Sequence, residues 1–268
     1  MNPPTEPVPN LPPRFADASF VAKGGTSTVY RARTTDDARI VAVKVFHTDG
    51  ERFAQELEAT ARLVGVDGVV QVLEAGRLDD GRRYLVTDFF PLGTVADQLQ
   101  GGRPFSVDEV CDLGARLART LDEVHRCDVV HGDVKPSNVL LDHEGRPWLT
   151  DFGTARAVGD SDPDGPTLTF TILYSAPEVL DGWPAGAASD QYALGLVLAT
   201  LLLGEHPFLP FATAGIGKLV DKIRNGGLPD LSLLNIPGPV AAAVMRACAT
   251  DPCDRFADCA AFADALHR

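Results

Sequence analysis

The chain has 268 residues, 45% of them hydrophobic, which is enough for one sizeable globular unit or for two small lobes that share a cleft. The formal net charge is −13 and the pI is near 4.8. Because nonspecific nucleic-acid binding relies on lysine and arginine to neutralise phosphates, this acidic balance argues against a nucleic-acid partner.

Cysteine usage and hydropathy bear on the compartment. The five cysteines, an odd number at scattered positions, do not have the pattern of a disulfide framework or of a paired zinc site. The N-terminus has neither the basic start nor the apolar core of a signal peptide. The longest apolar run, Tyr192–Gly204, is shorter than the roughly 20 residues that span a bilayer. We therefore expect a cytoplasmic protein with no membrane segment in this chain.

The first part of the chain is predicted to be rich in strands. Residues 1–13 carry six prolines and almost no hydrophobic periodicity, which predicts a disordered or extended leader. Short segments rich in β-branched and aromatic residues follow, with turns at "GGTS" and "TTDD". The predicted strands are residues 20–23, 28–33, 40–46, 69–76 and 82–90.

Helical patterns begin after the third of these strands. Thr48 and Glu51 have the spacing of a capping box with Thr48 as N-cap. An apolar stripe at helical spacing follows, so residues 49–64 are predicted to form a helix. The stripe consists of Phe53, Leu57, Ala61 and Val64. From Pro91 onward the pattern is helical, and the predicted helices are residues 107–126, 188–203, 214–225, 238–249 and 256–267.

A cluster of polar residues lies in the segment "VVHGDVKPSNVLL". It places four polar side chains within eight positions: His131, Asp133, Lys135 and Asn138. The segment "TDFGTAR" follows a predicted hairpin, which brings Asn138 back towards Asp151. Amide and carboxylate oxygens suit Mg²⁺, with substrate phosphate oxygens completing its shell. An acceptor at Asp133, a metal site and a cation at Lys135 are what phosphoryl transfer requires.

The joint pattern H-x-D-x-K-x-x-N followed by D-F-G resembles the Hanks-type (eukaryotic-like) protein Ser/Thr kinases of bacteria, in a variant with HGD at the catalytic loop. The resemblance covers about residue 14 to the end. It implies an α+β fold of two lobes with ATP in the cleft between them. Residues 14–88 would form a small antiparallel β-sheet lobe with one helix, and residues 89–268 a larger, mainly helical lobe.

The resemblance also implies roles for the polar residues. Asp133 would orient or deprotonate the substrate hydroxyl, Lys135 would stabilise the transferring phosphoryl group, and Asn138 and Asp151 would bind Mg²⁺ or Mn²⁺. Lys44 in "VAVKVF" would be the lysine that orients the ATP phosphates, paired with a glutamate on the following helix. Both Glu56 and Glu58 are candidates, and we choose Glu56 because it fits the family pattern "RFxxE" and adjoins the apolar stripe.

The nucleotide-binding residues follow from the same resemblance. The family loop G-x-G-x-x-G-x-V aligns with residues 22–29, where Ala22 and Ser27 replace two glycines and only Gly24, beside Gly25, is kept. Three apolar residues would sandwich the adenine: Val29, Ala42 and Leu140. Thr87 would be the gatekeeper, and the hinge from Asp88 to Phe90 would read the adenine edge through its backbone.

Later residues match structural positions of the family. Thr171 would pack near Asp133 and Lys135, and Phe170 stands where the family has glycine. The resemblance also implies an ion pair and a backbone anchor: Glu178 with Arg255, and Asp190 beneath the catalytic loop. Gly132 occupies the position where many kinases have an arginine that pairs with a phosphate on the activation segment. Phosphorylation of residues 154–171 is therefore expected to be unnecessary for activity.

The function expected from these residues is ATP- and Mg-dependent transfer of the γ-phosphoryl group to Ser/Thr hydroxyls of proteins, with autophosphorylation; a homodimer is left open. One alternative is a small-molecule phosphotransferase of kinase-like fold, because "HGD" is typical of aminoglycoside and choline kinases. Those enzymes generally lack an equivalent of Lys135 and of the "APE" segment at residues 176–178. The other alternative is a pseudokinase scaffold, which the altered glycine loop favours and the intact polar set opposes.

Overall fold

The structure is a computed structural model that describes residues 7–47, 50–154, 156–157, 170–225, 227–233 and 236–267. For residues 154, 156, 157, 170 and 171 only the backbone is described. A β-rich lobe is followed by a larger, mainly helical lobe, so the predicted two-lobe α+β fold is confirmed.

The N-terminal lobe is one antiparallel sheet with a helix. Its elements are β1 (Phe15–Lys23), β2 (Ser27–Thr34), β3 (Ile40–Phe46), α1 (Glu51–Arg62), β4 (Val72–Arg77) and β5 (Arg83–Asp88). The strand order is β1-β2-β3-β5-β4. Val41, Val43 and Val45 alternate onto one buried face of the sheet, where they pack with tyrosines of β2 and β5. We call this the outer face. The residues between them point to the other face, which contains the candidate site.

Helix α1 differs from its prediction at both ends. Its N-cap position is Gly50, with φ of 49° and no side-chain capping bond, so the prediction of Thr48 as N-cap is wrong; Thr48 itself lies outside the described residues. The helix ends at Arg62, and Val64 is 77% exposed. The inward face is formed by Phe53, Glu56, Ala59 and Thr60. A buried glutamate on this face is the reason that apolar periodicity selected the wrong stripe.

The leader was predicted for residues 1–13, and residues 7–12 of it are described without regular secondary structure. Leu11 packs beside the apolar cluster of the outer face, and the Tyr30 hydroxyl donates a hydrogen bond of 3.3 Å to the Pro7 carbonyl. The boundaries of the leader and of the two lobes stay predictions.

The C-terminal lobe contains a helical core and two short two-stranded sheets, β6 with β9 and the hairpin of β7 with β8. Its helices are α2 (Val95–Gln100), α3 (Val107–Arg126), α4 (Phe170–Tyr174), α5 (Pro177–Leu180), α6 (Ala187–Leu203), α7 (Leu209–Ala212), α8 (Ile216–Arg224), α9 (Gly238–Ala247) and α10 (Cys259–Leu266). Its strands are β6 (Val129–Val130), β7 (Val139–Leu141), β8 (Pro147–Leu149) and β9 (Arg156–Ala157). Helix α3 has its predicted bounds and is capped by reciprocal bonds between Ser106 and Glu109.

Helix α6 lies at the centre of this lobe. Every residue from Ser189 to Leu201 is buried, so the apolar run is a core helix. It packs against α3, α9 and α10. Within the described residues, no helix is long and apolar enough to cross a membrane.

Close packing of α6 against α9 predicts that the same substitution has different effects at two glycines. A Cβ at Gly195 would lie 2.6 Å from Cys248 Sγ and 3.1 Å from the Ala247 Cβ, whereas a Cβ at Gly217 in α8 meets no atom within 4 Å. Overpacking of about 1–3 kcal/mol should exceed the helix-propensity gain of about 1 kcal/mol in Gly195→Ala. Urea unfolding should show a loss of stability for Gly195→Ala and none for Gly217→Ala; equal midpoints would contradict the packing argument.

Candidate active site

Strand β3, helix α1 and the chain after β8 meet at the ammonium group of Lys44. Its Nζ donates to the two carboxylate oxygens of Glu56 at 2.8 and 2.6 Å, and to Asp151 Oδ1 at 3.0 Å. Glu58, the other candidate, pairs instead with Arg62 on the surface of α1. The structure therefore brings Lys44 together with Glu56 and Asp151 and not with Glu58.

Burial and charge act in opposite directions on these three groups. Burial disfavours the charged amine of Lys44, but the two neighbouring carboxylates outweigh it and raise the pKa of Lys44. Burial raises the pKa of Glu56, because the loss of hydration outweighs the attraction of Lys44 and the negative charge of Asp151 acts in the same direction as burial. Desolvation also opposes ionisation of Asp151, yet Lys44 holds the pKa of that carboxyl below its ordinary value. Asp151 is therefore ionised at neutral pH, as its predicted role of metal ligand requires.

The hairpin of β7 and β8 positions Asp151. The Thr150 N–H donates to the Asn138 carbonyl at 3.1 Å, directly beyond the paired strands. Asp151 then adopts φ of 66°, a conformation uncommon for a residue with a side chain. Such strained backbone is concentrated at functional sites, where the surrounding structure imposes it. Here it coincides with the ion pair to Lys44.

The structure brings two of the predicted catalytic-loop side chains to the carboxylate of a third. Lys135 Nζ lies 2.5 Å from Asp133 Oδ2, and Asn138 Nδ2 donates to the same oxygen at 3.0 Å and to the Asp133 carbonyl at 2.8 Å. Asn138 is buried. Because its amide nitrogen is used in this way, its amide oxygen is the atom left for a cation.

Asp190 of α6 anchors the backbone of this loop from below. Its carboxylate accepts hydrogen bonds of 2.8 Å from the His131 and Gly132 N–H groups and lies 2.9 Å from the His125 ring nitrogen. Asp190 is 1% exposed, and these polar partners compensate for its burial. Gly132 adopts φ of 74°, where a side chain would be strained.

His131 and Phe152 support the loop by packing. Their ring centroids are 4.6 Å apart, and His131 is fully buried. The His131 Nε2 donates to the Thr150 carbonyl at 3.1 Å, while its Nδ1 accepts from the Asp133 N–H at 3.2 Å. His131 thereby joins the catalytic loop to the residue that precedes Asp151.

The donor chemistry fits a hard divalent cation whose shell is completed by the substrate. Asn138 and Asp151 supply one amide oxygen and one carboxylate. Among the described residues, no group of three or more His, Cys, Asp or Glu side chains could hold a metal ion. Phosphate oxygens and water would therefore have to provide the remaining ligands.

The predicted adenine residues of the N-terminal lobe share one sheet face with Lys44. In the strand register Val29 is opposite Lys44, and Ala42 is opposite Thr87. Cross-strand partners project to the same side, so these four residues line one surface, which we call the nucleotide face. Leu140 is on β7 of the other lobe and, like Val29 and Ala42, is half-buried.

The hinge is held by contacts that the sequence did not indicate. Arg39 binds the Asp88 carboxylate at 2.6 Å, and the Arg31 guanidinium lies over the Phe89 ring at 5.6 Å. Phe90 packs against Trp148 of β8, with ring centroids 5.8 Å apart. Strand alternation from Val29 could have predicted that Arg31 lies on the nucleotide face, but no motif in the sequence marks Arg31.

The predicted phosphate loop is a tight connection between β1 and β2. The Gly24 N–H donates to the Ser27 carbonyl at 2.8 Å, and Ala22 is opposite Val29. Neither Gly24 nor Gly25 has a positive φ, and a Cβ at Gly25 would meet no atom within 4 Å. The loop conformation therefore does not itself require glycine at these positions.

The structure describes the side chains of only some of the later motif residues. The side chains of Phe170 and Thr171 lie outside the described part of the structure, so their roles stay predictions. Glu178 and Arg255 form two hydrogen bonds of 2.7 Å, and Arg255 also donates to the carbonyls of Ala188 and Ala249. This pair, in which Arg255 is buried and Glu178 half-buried, ties the "APE" segment to the end of the lobe.

Known proteins are similar to the chain over most of its length. Residues 15–224 match the family described as protein kinase domain. The chain is 35% identical over 263 residues to the serine/threonine-protein kinase PknK of Mycobacterium tuberculosis, an alignment that covers 94% of this chain and 24% of that protein. It is 34% identical over 266 residues to PknJ, a serine/threonine-protein kinase of Mycobacterium bovis, covering 92% of this chain and 44% of the relative.

The chain belongs to the protein kinase family, so the family predicted from its motifs is confirmed. It spans less than half the length of either relative. Protein kinases in general use ATP and a divalent metal ion, to which the assembled acidic and basic groups are suited.

Asp142 holds the hairpin that positions Asn138 and Asp151. Its carboxylate accepts bonds from the Glu144 and Arg146 N–H groups, both at 2.9 Å, and from the side chains of Arg146 and Trp148. Burial would raise the pKa of Asp142, but these hydrogen bonds hold it at about 2, below the ordinary 3.8.

This lowered pKa predicts a pH-dependent contribution to stability. Because the folded-state pKa lies below the unfolded one, the stabilisation of about 2 kcal/mol is present above roughly pH 4 and is lost as pH falls towards 2. Urea unfolding of Asp142→Asn should show this deficit at neutral pH, and the deficit should narrow in acid. Asp112→Asn on the exposed face of α3 should match wild type throughout, and a pH-independent deficit in Asp142→Asn would contradict the assignment.

Proposed function

We propose that this chain transfers the γ-phosphoryl group of ATP to Ser/Thr hydroxyls of protein substrates, with Mg²⁺ or Mn²⁺ as its metal and with autophosphorylation. The observation that carries the proposal is the assembly of two polar sets, one of which joins the two lobes through the contact of Lys44 with Asp151. Lys44 and Glu56 reach Asp151, while Lys135 and Asn138 converge on Asp133. These are the positioning and charge-stabilising groups of phosphoryl transfer.

Each side chain has a distinct part in this chemistry. Asp133 accepts a hydrogen bond from the substrate hydroxyl and takes its proton as the oxygen attacks phosphorus. Lys135, beside Asp133, provides positive charge for the transferring group. Lys44, held by Glu56, orients the ATP phosphates. A divalent ion held by Asn138 and Asp151 would neutralise charge on the phosphates.

The two alternative functions receive less support. A small-molecule phosphotransferase has no need of the peptide-docking "APE" segment that Glu178 and Arg255 secure here. A scaffold without catalysis has no need of the complete set around Lys44 and Asp133. The acidic charge and the five free cysteines support the further proposal of a cytoplasmic protein without nucleic-acid partners.

Removal of the proposed base should separate catalysis from binding. We expect Asp133→Asn to lower phosphoryl transfer to itself and to a generic protein substrate by about 10²–10⁴-fold, because the amide cannot accept the proton. The variant should still bind Mg²⁺ and a nonhydrolysable ATP analogue, and a thermal-shift assay measures this binding. Asp112→Asn serves as the matched control and should transfer at the wild-type rate.

The same assay decides between the alternatives. Transfer by wild type only to small hydroxyl compounds such as an aminoglycoside would favour the small-molecule phosphotransferase. Nucleotide binding without any transfer by the folded protein would favour the scaffold. Either result would contradict the proposed function.

Gly132 predicts independence from phosphorylation of the activation segment. It has no side chain to bind a phosphate, and its N–H is already bound to Asp190. Ser161, Thr167 and Thr169, the candidate acceptors, lie outside the described residues. Replacing all three with alanine should leave the rate of phosphoryl transfer to an external substrate within a few-fold of the wild-type rate. A fall of about a hundredfold, which is about 2.7 kcal/mol in barrier, would contradict the prediction.

A further inference from the structure

The connection between β1 and β2 is held by the residue that follows β3. The His47 N–H donates to the Thr26 carbonyl at 2.9 Å, which extends the pairing of β2 and β3 beyond the last strand residue. The His47 Nε2 also lies 2.7 Å from Thr28 Oγ1. Two hydrogen bonds from one residue thus reach the predicted phosphate loop, one at Thr26, which we call the tip, and one at Thr28, where β2 has begun.

The side chains of this contact lie away from the nucleotide face. Thr28 is opposite Val45 in the register, and Val45 belongs to the apolar cluster of the outer face. Thr28 is only 2% exposed, so its hydroxyl depends on a protein partner for its hydrogen bond. Val29, the next residue, points to the nucleotide face. His47 therefore acts on the loop through Thr28 and the backbone, without touching a bound nucleotide.

The composition of the loop gives this contact its importance. Two of the three glycines of the family pattern are replaced by Ala22 and Ser27. The backbone conformations of Gly24 and Gly25 are accessible to other residues. The position of the loop therefore depends on the hydrogen bonds that hold it. Those from His47 continue the pairing of β2 with β3, the strand that carries Lys44, one residue further into the connection.

We propose that His47 is a positioning residue for ATP. By bonding to Thr28 and to the Thr26 carbonyl, it sets the distance between the loop tip and Lys44, and so the fit of the loop over the phosphates. This inference rests on the proposed function and adds a residue to that site. Neither motif spacing nor hydrophobic pattern marks His47 or Thr28.

The test compares variants that remove the contact with variants that keep it. His47→Ala and Thr28→Val remove one partner each, and valine keeps the shape of threonine. His47→Gln and Thr28→Ser keep a hydrogen-bonding group at each position. His143→Ala, at an exposed histidine in the turn between β7 and β8, is the matched control.

We expect His47→Ala and Thr28→Val to raise KM for ATP by roughly three- to tenfold, the effect of one hydrogen bond of ordinary net strength. The value of kcat and the KM for the protein substrate should stay within about twofold of wild type, because the proposed contact acts on the binding of ATP. The double variant should be no worse than either single one, since both remove the same contact. His47→Gln, Thr28→Ser and His143→Ala should resemble wild type.

Hydrogen exchange of the nucleotide-free protein provides a readout that does not depend on turnover. The amides of residues 24–28 should exchange faster in His47→Ala and Thr28→Val than in Thr28→Ser. An unchanged KM for ATP in both disruptive variants, with or without faster exchange, would overturn the proposal. So would a loss confined to kcat or to thermal stability.

Failure of the proposed function can be told apart from failure of this inference. If wild type binds Mg²⁺ and a nonhydrolysable ATP analogue but transfers no phosphate, the proposed function fails. The role of His47 is then decided by the Kd of that analogue in the same variants. An increase of Kd in His47→Ala and Thr28→Val together with faster exchange would support it, and unchanged values of Kd would contradict it.

Discussion

The ammonium group of Lys44 is the point on which the site depends. It binds Glu56 of α1 and Asp151 of the other lobe, so one charge sets the relative positions of a strand, a helix and the chain after β8. Glu56 is only 5% exposed, and leaving such a carboxylate buried without its partner costs about 3–5 kcal/mol. This interaction therefore specifies geometry: α1 must lie close to β3 for the protein to keep Glu56 charged inside the lobe.

The second constraint reaches the site from the core of the helical lobe. Helix α6 is buried on all sides, and its position is set by packing against α3, α9 and α10. Asp190 on this helix binds two backbone N–H groups of the catalytic loop. Apolar packing thus determines where an acid lies, the acid determines the path of the loop, and the loop determines where Asp133 points.

The nucleotide side of the cleft is arranged differently. Its surface comes from strand alternation, which places Val29, Ala42 and Thr87 beside Lys44. Its borders are fixed by single polar or aromatic contacts: Arg31 on Phe89, Phe90 on Trp148, and His47 on Thr28. Each contact joins a border of the cleft to a neighbouring residue, so the shape of the nucleotide face depends on side chains that surround it.

Local features of the sequence were sufficient for much of this protein. The bounds of α3, the hairpin after Asn138, the two-lobe division and the family could be read directly, because helix periodicity, turns and motif spacing act over a few neighbouring residues.

Only the tertiary structure decided the rest. Helix α1 begins after Gly50 and turns Glu56 inward. The apolar stripe had instead predicted that the helix continues to Val64 with Val64 on its inward face, but Val64 is exposed. Lys44 and Asp151 are 107 positions apart, and the contact of His47 with Thr28 joins the beginning of β2 to the residue after β3. Such polar pairs form only when packing of the apolar core brings their strands and helices together. Local periodicity describes neighbouring residues, so it does not predict which distant residues will meet.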